Sequence, residues 1–211
     1  ASDVYKRQVR MHINMSLRKD GRNIFADETD RFGLSQDAYY FIGGLMKHVY
    51  SMTAITNPLV NSYKRLVSGF EAPLHIAWSV TNRSPLIRIP SSFGSGTRIE
   101  LRSPDSAANP YLTIALCLAA GLDGIKNKIT PPENIQKNIF HMTEEEKEQL
   151  HIKSLPTNLY DAVCAMERDA FIREILGEHI SNVYIGSKKD EWNRYCKAVT
   201  EWEVDTYLDK F

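Results

Sequence analysis

The sequence predicts an α+β fold, in which short antiparallel strands with one polar face are backed by helices. Three observations support this prediction. Residues 11–17 and 98–102 alternate polar and apolar side chains, as half-buried strands do. Residues 35–53 keep an apolar stripe at helical spacing, and residues 157–211 have the patterns of several consecutive helices. The strands come first in the chain, and the last quarter is mainly helical.

The first strand is predicted at residues 11–17, where the alternation is strict. One face carries only apolar side chains, and the opposite face carries His12, Asn14 and Ser16. Further short strands are predicted at residues 75–80, 86–90 and 97–103. We expect residues 61–73 to form an ordered loop, and residues 94–96 to form a flexible connection because they contain two glycines.

Polar capping residues mark the predicted helix starts. Ser35 is expected to cap a helix that runs to about Thr53. The Gly43-Gly44 pair either counts against this helix or marks a point of close packing. Asn109 and the proline after it begin a helix that extends to about residue 128. That helix is apolar on most sides, so we expect it to be mostly buried. A capping box at Thr143 begins a further helix.

Composition excludes some classes of protein and leaves others open. Of 211 residues, 26 are Lys or Arg and 26 are Asp or Glu, so the formal net charge is +0. This balance gives no overall attraction to nucleic acid or to an anionic membrane. Three widely spaced cysteines and no secretory signal favour a cytoplasmic protein. No apolar run is long enough to cross a bilayer.

Arg98, Glu100 and Arg102 form the most informative local pattern. Because side chains alternate along a strand, all three project from one face while the apolar residues between them pack behind. A carboxylate between two guanidinium groups suits a site that holds a metal ion and anionic oxygens. Considered alone, the same triplet is also typical of a solvated strand with ion pairs to its neighbour.

A second candidate site lies on the polar face of the first strand. The imidazole of His12, together with a carboxylate, could bind a divalent ion. A single histidine on a strand can equally be exposed or simply hydrogen-bonded. Asn14 and Ser16 share the face and add polar groups beside it.

The segment from residue 63 to residue 103 is locally basic, with Glu71 and Glu100 as its two acids. Arginines that converge on one surface would bind a triphosphate and a carboxylate substrate. The alternatives are a solvated face and a nucleic-acid patch. Glu71 lies in a loop between a glycine and a proline, so it could belong to a lid or to an ordinary surface loop. The arginines of this set are Arg65, Arg83, Arg88, Arg98 and Arg102.

Several long motifs, in order, resemble type I glutamine synthetase of bacteria. They are MHINMSL (11–17), NSYKRLVSGFEAP (61–73), NRS (82–84), IRIP (87–90), RIELR (98–102) and AANPY (107–111), followed by GLDGIKNK (121–128). The resemblance covers residues 11–211. It implies part of an antiparallel barrel backed by helices, with active-site strands and helices at 11–130 and a mainly helical region at 131–211. Residues 1–10 do not match and form a junction.

The resemblance implies ATP-dependent joining of ammonia to L-glutamate through γ-glutamyl phosphate, with Mg²⁺ or Mn²⁺ bound at the site. It makes His12 and Glu100 metal ligands, and it makes Glu71 and Arg83 catalytic. Glutamate would be held by Arg65, Glu71, Arg83 and Arg102. The nucleotide and its phosphates would be held by Asn14, Met15, Ser16, Arg83, Arg88 and Arg98.

The same resemblance implies further properties of the longer protein. The family forms dodecamers of two hexameric rings, with active sites between subunits, and its remaining metal carboxylates precede this segment. We therefore expect the 211 residues alone to be inactive. Phe140 stands where one subgroup has a modified tyrosine, so the chain resembles the non-adenylylated subgroup of Gram-positive bacteria. Members of that subgroup bind nitrogen-regulatory transcription factors.

Three other functions remain open from the sequence. A γ-glutamyl-polyamine ligase would share the metal and phosphate residues. A non-catalytic assembly or regulator-binding module could use the C-terminal helices, which contain Trp192, Tyr195 and Trp202. A nucleic-acid binder would use the arginines, but this idea is opposed by the balanced charge elsewhere in the chain.

Overall fold

The computed structural model describes residues 11–66, 73–82, 84–208 and 210, which form a mixed structure of helices and strands. The strands are β1 (Ile13–Met15), β2 (Arg18–Lys19), β3 (Arg22–Asn23), β4 (His75–Ile76), β5 (Trp78–Ser79), β6 (Ile87–Arg88), β7 (Ile99–Leu101) and β8 (Lys153–Ser154). The helices are α1 (Gln36–Thr56), α2 (Pro110–Lys126), α3 (Glu144–Gln149), α4 (Leu159–Arg168), α5 (Ala170–Leu176), α6 (Glu178–Lys197) and α7 (Glu201–Tyr207).

The main sheet has four strands in the order β1-β7-β6-β5. Its β1–β7 and β7–β6 pairs are antiparallel, as predicted. The β5–β6 pair is parallel, so the prediction of a purely antiparallel sheet was wrong for that pair. Side-chain alternation reports which face of a strand is buried, but it carries no information about the direction of the neighbouring strand.

Two smaller ladders flank the main sheet. Strands β2 and β3 form a hairpin around Asp20 and Gly21, both of which have positive φ angles. Strand β4 pairs with β8, which joins the middle of the chain to the C-terminal region. The predicted loop at residues 61–73 begins instead with a 3₁₀ helix at Val60–Lys64, and residues 67–72 lie outside the described part of the chain.

Helix α1 lies at the centre of the core. The hydroxyl of Ser35 accepts a hydrogen bond from the Ala38 amide, which confirms the predicted N-cap. The helix continues to Thr56, three residues beyond the predicted end, and stops before the Asn57-Pro58 pair. Proline restricts the residue before it to extended conformations, so this pair ends the helix.

Glycines allow α1 and α2 to touch backbone to backbone. A Cβ atom on Gly44 would lie 2.1 Å from the Ala120 carbonyl oxygen, and one on Gly124 would lie 2.0 Å from the Tyr40 carbonyl oxygen. A Cβ atom on Gly43 would lie 2.0 Å from the Ile129 carbonyl oxygen. These contacts confirm the close packing predicted for the Gly43-Gly44 pair, which therefore contributes packing rather than flexibility.

Helix α2 is less buried than its composition predicted. Leu116, Cys117 and Ala120 face the core, but a second apolar row points away from it. This row consists of Tyr111 (83% exposed), Ile114 (55%), Leu118 (43%) and Leu122 (45%). The prediction of a mostly buried helix was wrong because an all-round apolar composition does not say how many sides are covered within this chain.

Helix α3 begins at the predicted capping box, and side-chain caps also begin later helices. Thr143 forms a capping box with Glu146 at the start of α3, and Asn158 caps α4. Helices α4 and α5 contribute Ala162, Val163 and Ile172 to the main core. None of the helices in the described part of the chain is long and apolar enough to cross a membrane.

The connection at Gly94–Gly96 is an ordered 3₁₀ turn, so the prediction of flexibility was wrong. The side-chain amide of Asn23 donates to the backbone carbonyl of Gly94 at 3.2 Å and to that of Thr97 at 2.7 Å. A side chain more than 70 positions earlier thus holds the turn, and no local pattern reveals such a contact.

Candidate functional site

The candidate site lies on the polar face of the β1–β7 pair. Asn14 and Glu100 are opposite each other in this antiparallel ladder, so the polar faces of the two strands coincide. Behind them, Ile99 and Leu101 have 0% exposure. Along β1 the burial alternates, with His12, Asn14 and Ser16 more exposed than their neighbours. The predicted face assignments on both strands are therefore confirmed.

Glu100 is the centre of the site, with 5% exposure. Its Oε1 atom lies 2.7 Å from His12 Nδ1 and 3.6 Å from Arg102 Nε. Its Oε2 atom accepts a hydrogen bond from Arg88 Nη1 at 3.2 Å. Three basic side chains from three strands or strand ends therefore meet at one carboxylate. Two permanently charged guanidinium groups exceed the single negative charge, so the cluster carries positive charge.

One edge of the cluster is extended by Arg98 and Asn14. Arg98 Nε donates to Asn14 Oδ1 at 3.1 Å, and Arg98 Nη1 donates to the Gly96 carbonyl at 3.2 Å. Arg98 is thus held beside β1. Of the other residues predicted to contact nucleotide, Ser16 is exposed, whereas Met15 packs against the core. The side chain of Met15 therefore lies on the apolar side of β1, whereas those of its neighbours Asn14 and Ser16 lie on the polar side.

Arg65 is buried close to the end of β7, with 3% exposure. Its Nη2 atom donates to Asn57 Oδ1 and to the Ser103 carbonyl oxygen. Its Nε atom lies 3.8 Å from Asp105 Oδ2. Ser103 follows Arg102 directly in the sequence. The contact with the Ser103 carbonyl therefore holds Arg65 beside the stretch of chain that contains Arg102, another arginine predicted to bind glutamate.

Sequence reasoning missed the residues that hold Arg65. No sequence pattern singles out Asn57 or Asp105 as a partner of Arg65. A buried arginine requires polar or acidic partners, and this requirement is the one signal that points to such residues. No spacing in the sequence connects Arg65 to a carbonyl 38 positions away.

Two predicted residues, Glu71 and Arg83, lie outside the described part of the chain. The structure therefore brings together His12, Asn14, Arg88, Arg98, Glu100 and Arg102, and it places Arg65 beside the end of the same sheet.

The donors fit a divalent cation as part of a larger set. An imidazole nitrogen and a carboxylate oxygen are suitable ligands for Mn²⁺, and carboxylate oxygen suits Mg²⁺. His12 Nδ1 and Glu100 Oε1 form such a pair, 2.7 Å apart. Within the described ranges, no group of three or more His, Cys, Asp or Glu side chains could hold a metal ion. This pair can supply two ligands, and an octahedral ion needs others.

The chemistry available here is recognition and neutralisation of anionic oxygens. Guanidinium groups that already contact a carboxylate can bind phosphate or substrate carboxylate with the same geometry. Nearby, burial raises the pKa of the Tyr63 phenol well above its usual range, with a smaller opposing effect from Arg65. The phenol therefore stays neutral, and the positive charge of Arg65 is not cancelled by a phenolate.

Most of the chain is similar to known proteins. The chain is 53% identical over 201 residues to glutamine synthetase of Clostridium saccharobutylicum, covering 95% of this chain and 45% of the relative. It is 55% identical over 198 residues to glutamine synthetase of Methanosarcina mazei, covering 94% and 44%. The chain thus spans less than half the length of these curated relatives.

Solved structures agree with the sequence comparison. The chain matches a structure described as apo GmaS without ligand, with a TM-score of 0.82 and 39% identity over 95% of this chain and 45% of that one. A GmaS/ADP complex matches with a TM-score of 0.83, also at 39% identity, over 95% and 46%. The family model for the glutamine synthetase catalytic domain matches residues 6–207. This chain belongs to the glutamine synthetase catalytic-domain family.

Proposed function

We propose that the protein containing this chain joins ammonia to L-glutamate, with ATP hydrolysed to ADP and phosphate, to give glutamine. The observation that carries the proposal is the buried Glu100 carboxylate, which contacts His12, Arg88 and Arg102 on one sheet face. Such a cluster can hold a cation and several anionic oxygens together. Membership of the family and the similarity to two glutamine synthetases support the same reaction.

The reaction has two displacements. An oxygen of the glutamate side-chain carboxylate attacks the terminal phosphorus of ATP, and ADP leaves. Ammonia then attacks the carbonyl carbon of the γ-glutamyl phosphate, and phosphate leaves. Both steps collect negative charge in a small volume, and arginine side chains offset that charge without a proton transfer.

Each predicted residue has a role in this scheme. Arg65 and Arg102 hold the glutamate carboxylates. Arg83 and Arg88 bind phosphates, with Arg83 at the transferred phosphoryl group. Glu71 closes over the acyl phosphate and accepts the proton that ammonium loses. The assignment of Arg65 rests on the family resemblance, and the Asn57 side chain and the Ser103 carbonyl hold its guanidinium in place.

Nucleotide and metal contacts complete the assignment. We assign nucleotide binding to Asn14, Met15, Ser16 and Arg98. Nucleotide binding as such, though not this choice of residues, is supported by the similarity to a structure described as a GmaS/ADP complex. His12 and Glu100 would hold a divalent cation, Mg²⁺ or Mn²⁺. When bound, such an ion neutralises phosphate charge and polarises the phosphorus–oxygen bonds.

The arrangement of the longer protein follows from the family. We propose that the four-stranded sheet is one segment of a larger barrel, with residues 11–130 as its active-site part, 131–211 as a mainly helical region and 1–10 as a junction. The assembly would be a cytoplasmic dodecamer with active sites between subunits. Binding of nitrogen-regulatory transcription factors stays a prediction from the resemblance.

The test uses the longer protein that contains this chain. Phosphate release from ATP is measured with glutamate and ammonium together, and then with each one left out. We expect release to require both substrates and Mg²⁺ or Mn²⁺. Turnover that does not depend on glutamate would overturn the proposal.

The same assay separates the alternative reaction and tests the isolated segment. Putrescine in place of ammonium should give at least about tenfold less turnover, because a larger amine needs its own pocket. A preference for putrescine would instead assign a γ-glutamyl-polyamine ligase. The 211-residue chain alone is expected to give no turnover, because its described residues supply two of the ligands that an octahedral ion needs.

A further inference from the structure

A cavity of about 660 Å³ lies apart from the arginine cluster, between α1, residues 129–132 and the β4–β8 ladder. Among the residues that the structure describes, none of those assigned above to substrate, nucleotide or metal lines it. Its volume lies within the range of pockets that hold small organic molecules. The cavity is therefore large enough for a ligand of its own, and nothing in this inference depends on the proposed reaction.

The walls of the cavity are fixed by backbone contacts. Gly43 lines the cavity on the α1 side, and its missing side chain allows the Ile129 carbonyl to lie against the helix. On the other side, Ile76 and Lys153 are directly opposite each other in the β4–β8 ladder. Residues paired in this way project from the same face of the ladder. The apolar side chain of Ile76 and the charged side chain of Lys153 therefore lie next to each other. The cavity is thus formed before any ligand binds.

Both lysines among the described lining residues, Lys47 and Lys153, carry positive charge, and the imidazole of His151 lines the cavity beside them. No carboxylate side chain lines the cavity among the described residues. Lys47 Nζ lies 3.1 Å from Asp123 Oδ2, but Asp123 is not part of the lining. The ammonium of Lys153 is therefore the cavity's least compensated charge, and a ligand that enters would meet positive potential.

The remaining lining is mainly apolar and flat. Met46, Ile76 and Ile129 supply aliphatic surface, and Pro131 and Pro132 supply rigid rings. Tyr50, at 41% exposure, adds an aromatic face with a hydroxyl that can donate a hydrogen bond. A ligand matched to this lining has a flat apolar body and one anionic group.

We propose that this cavity is a binding site for a small aromatic or aliphatic-ring carboxylate, separate from the sheet site. The apolar body would pack against the Met46, Ile76 and proline wall. The carboxylate would lie towards Lys153 and His151, with Lys47 as a further cation.

The test uses the 211-residue chain and two probes, 1-naphthoate and the neutral 1-naphthalenemethanol. Each is titrated while backbone amide shifts are followed by ¹⁵N NMR. We expect naphthoate to bind about two- to fivefold more tightly than the alcohol, since a cation–carboxylate contact at a half-exposed site contributes up to about 1 kcal/mol. The largest shifts should fall on residues 46–51, 129–132 and 151–153.

Variants give the second arm of the test. Lys153→Met removes the charge but keeps an apolar stem, and it should weaken naphthoate binding about two- to fivefold. Adding His151→Gln to this variant should weaken naphthoate binding further. Lys19→Met, on the exposed β2 strand, is the matched control and should leave the affinity unchanged.

Three results would overturn the proposal. Equal affinity for the two probes would show that charge plays no part. Shifts concentrated at residues 98–102 would show that the carboxylate binds the arginine cluster instead. Unchanged affinity in the Lys153→Met and His151→Gln variant, with circular dichroism showing an intact fold, would exclude the cavity.

Discussion

Two His–carboxylate pairs in different layers of this molecule have nearly the same geometry. In the sheet, His12 Nδ1 lies 2.7 Å from Glu100 Oε1. In the helical layer, His48 Nε2 lies 2.8 Å from Asp123 Oδ2. Each carboxylate also contacts further nitrogen donors, and each pair joins segments that are far apart in the sequence. Distance and composition alone therefore do not separate a candidate active site from a structural contact.

The surroundings of the two pairs differ. His12 and Arg88 are 34% and 30% exposed, so the Glu100 cluster is open on one side. His48 is 6% exposed, and its ring stacks on Phe171 at 3.8 Å between ring centroids. A ligand can reach the first pair, whereas the second is closed by α1, α2 and α5.

The balance of charge also differs. Two guanidinium groups and an imidazole contact Glu100, which leaves positive charge for a ligand to neutralise. Asp123 is satisfied by Lys47, His48 and the Asn127 side-chain amide, which donates to Oδ1 at 2.6 Å. The comparison teaches that accessibility and uncompensated charge, rather than the pair itself, mark the candidate site.

The largest expected contrast concerns activity. In the longer protein, Glu100→Gln should lower kcat/KM for glutamate at least about 100-fold, because even residues that only support a metal ligand contribute about 10- to 100-fold. Asp123→Asn should change it less than about threefold. Steady-state phosphate release measures both, and equal losses would remove the distinction between the pairs.

A second contrast concerns stability. Asp123→Ala leaves the buried His48 ring without its hydrogen-bond partner, which should lower the free energy of unfolding by about 1–3 kcal/mol. The matched control is Asp190→Ala, which removes an exposed ion pair with Arg194 and should cost less than about 0.5 kcal/mol. Urea unfolding of the 211-residue chain compares them, and similar midpoints would contradict the structural role of Asp123.

The pH dependence of stability should reveal the same pair. Burial acts to raise the pKa of Asp123, but hydrogen bonds from His48 and Lys47 outweigh it and hold the pKa below 3.8. A depressed carboxyl pKa stabilises the folded state above the unfolded value, and this contribution is lost as the pH falls through the folded value. The stability difference between wild type and Asp123→Ala should therefore shrink below pH 3.8. A difference that grows there would show the opposite sign.

The smallest expected effect is that of Lys47. Its side chain is 51% exposed, so its ion pair with Asp123 is screened by water and salt. Lys47→Ala should lower the free energy of unfolding by at most about 0.5 kcal/mol, and 0.5 M salt should remove most of that difference. Lys47→Arg serves as the charge-preserving control. A loss as large as that of Asp123→Ala would mean that Lys47 is part of the closed cluster.

Sequence patterns predicted the local parts of the structure. The alternation at residues 11–17 predicted which side chains of β1 share a face with Glu100, and Ser35 and Thr143 predicted two helix starts. These features depend on neighbours a few positions away. Periodicity and capping therefore suffice to find them.

Features that depend on distant contacts were not predicted. The parallel β5–β6 pair, the exposed row on α2 and the hold of Asn23 on the Gly94–Gly96 turn all require knowledge of what each segment packs against. The contact between His48 and Asp123, 75 positions apart, is of the same kind. The resemblance supplied the site residues, while Asn57 and Asp105 became visible only through their contacts with Arg65.

The pairing of β1 with β7 has a consequence for the time course of folding. Asn14 and Arg98, which meet at this pair, are 84 positions apart, so a long stretch of chain must be ordered before they can touch. Closing so large a loop is entropically costly and is repaid only after the contacts form. The helical contacts between α4 and α5 are local and can form early. The arginine cluster should thus be among the last parts of the chain to assemble during refolding.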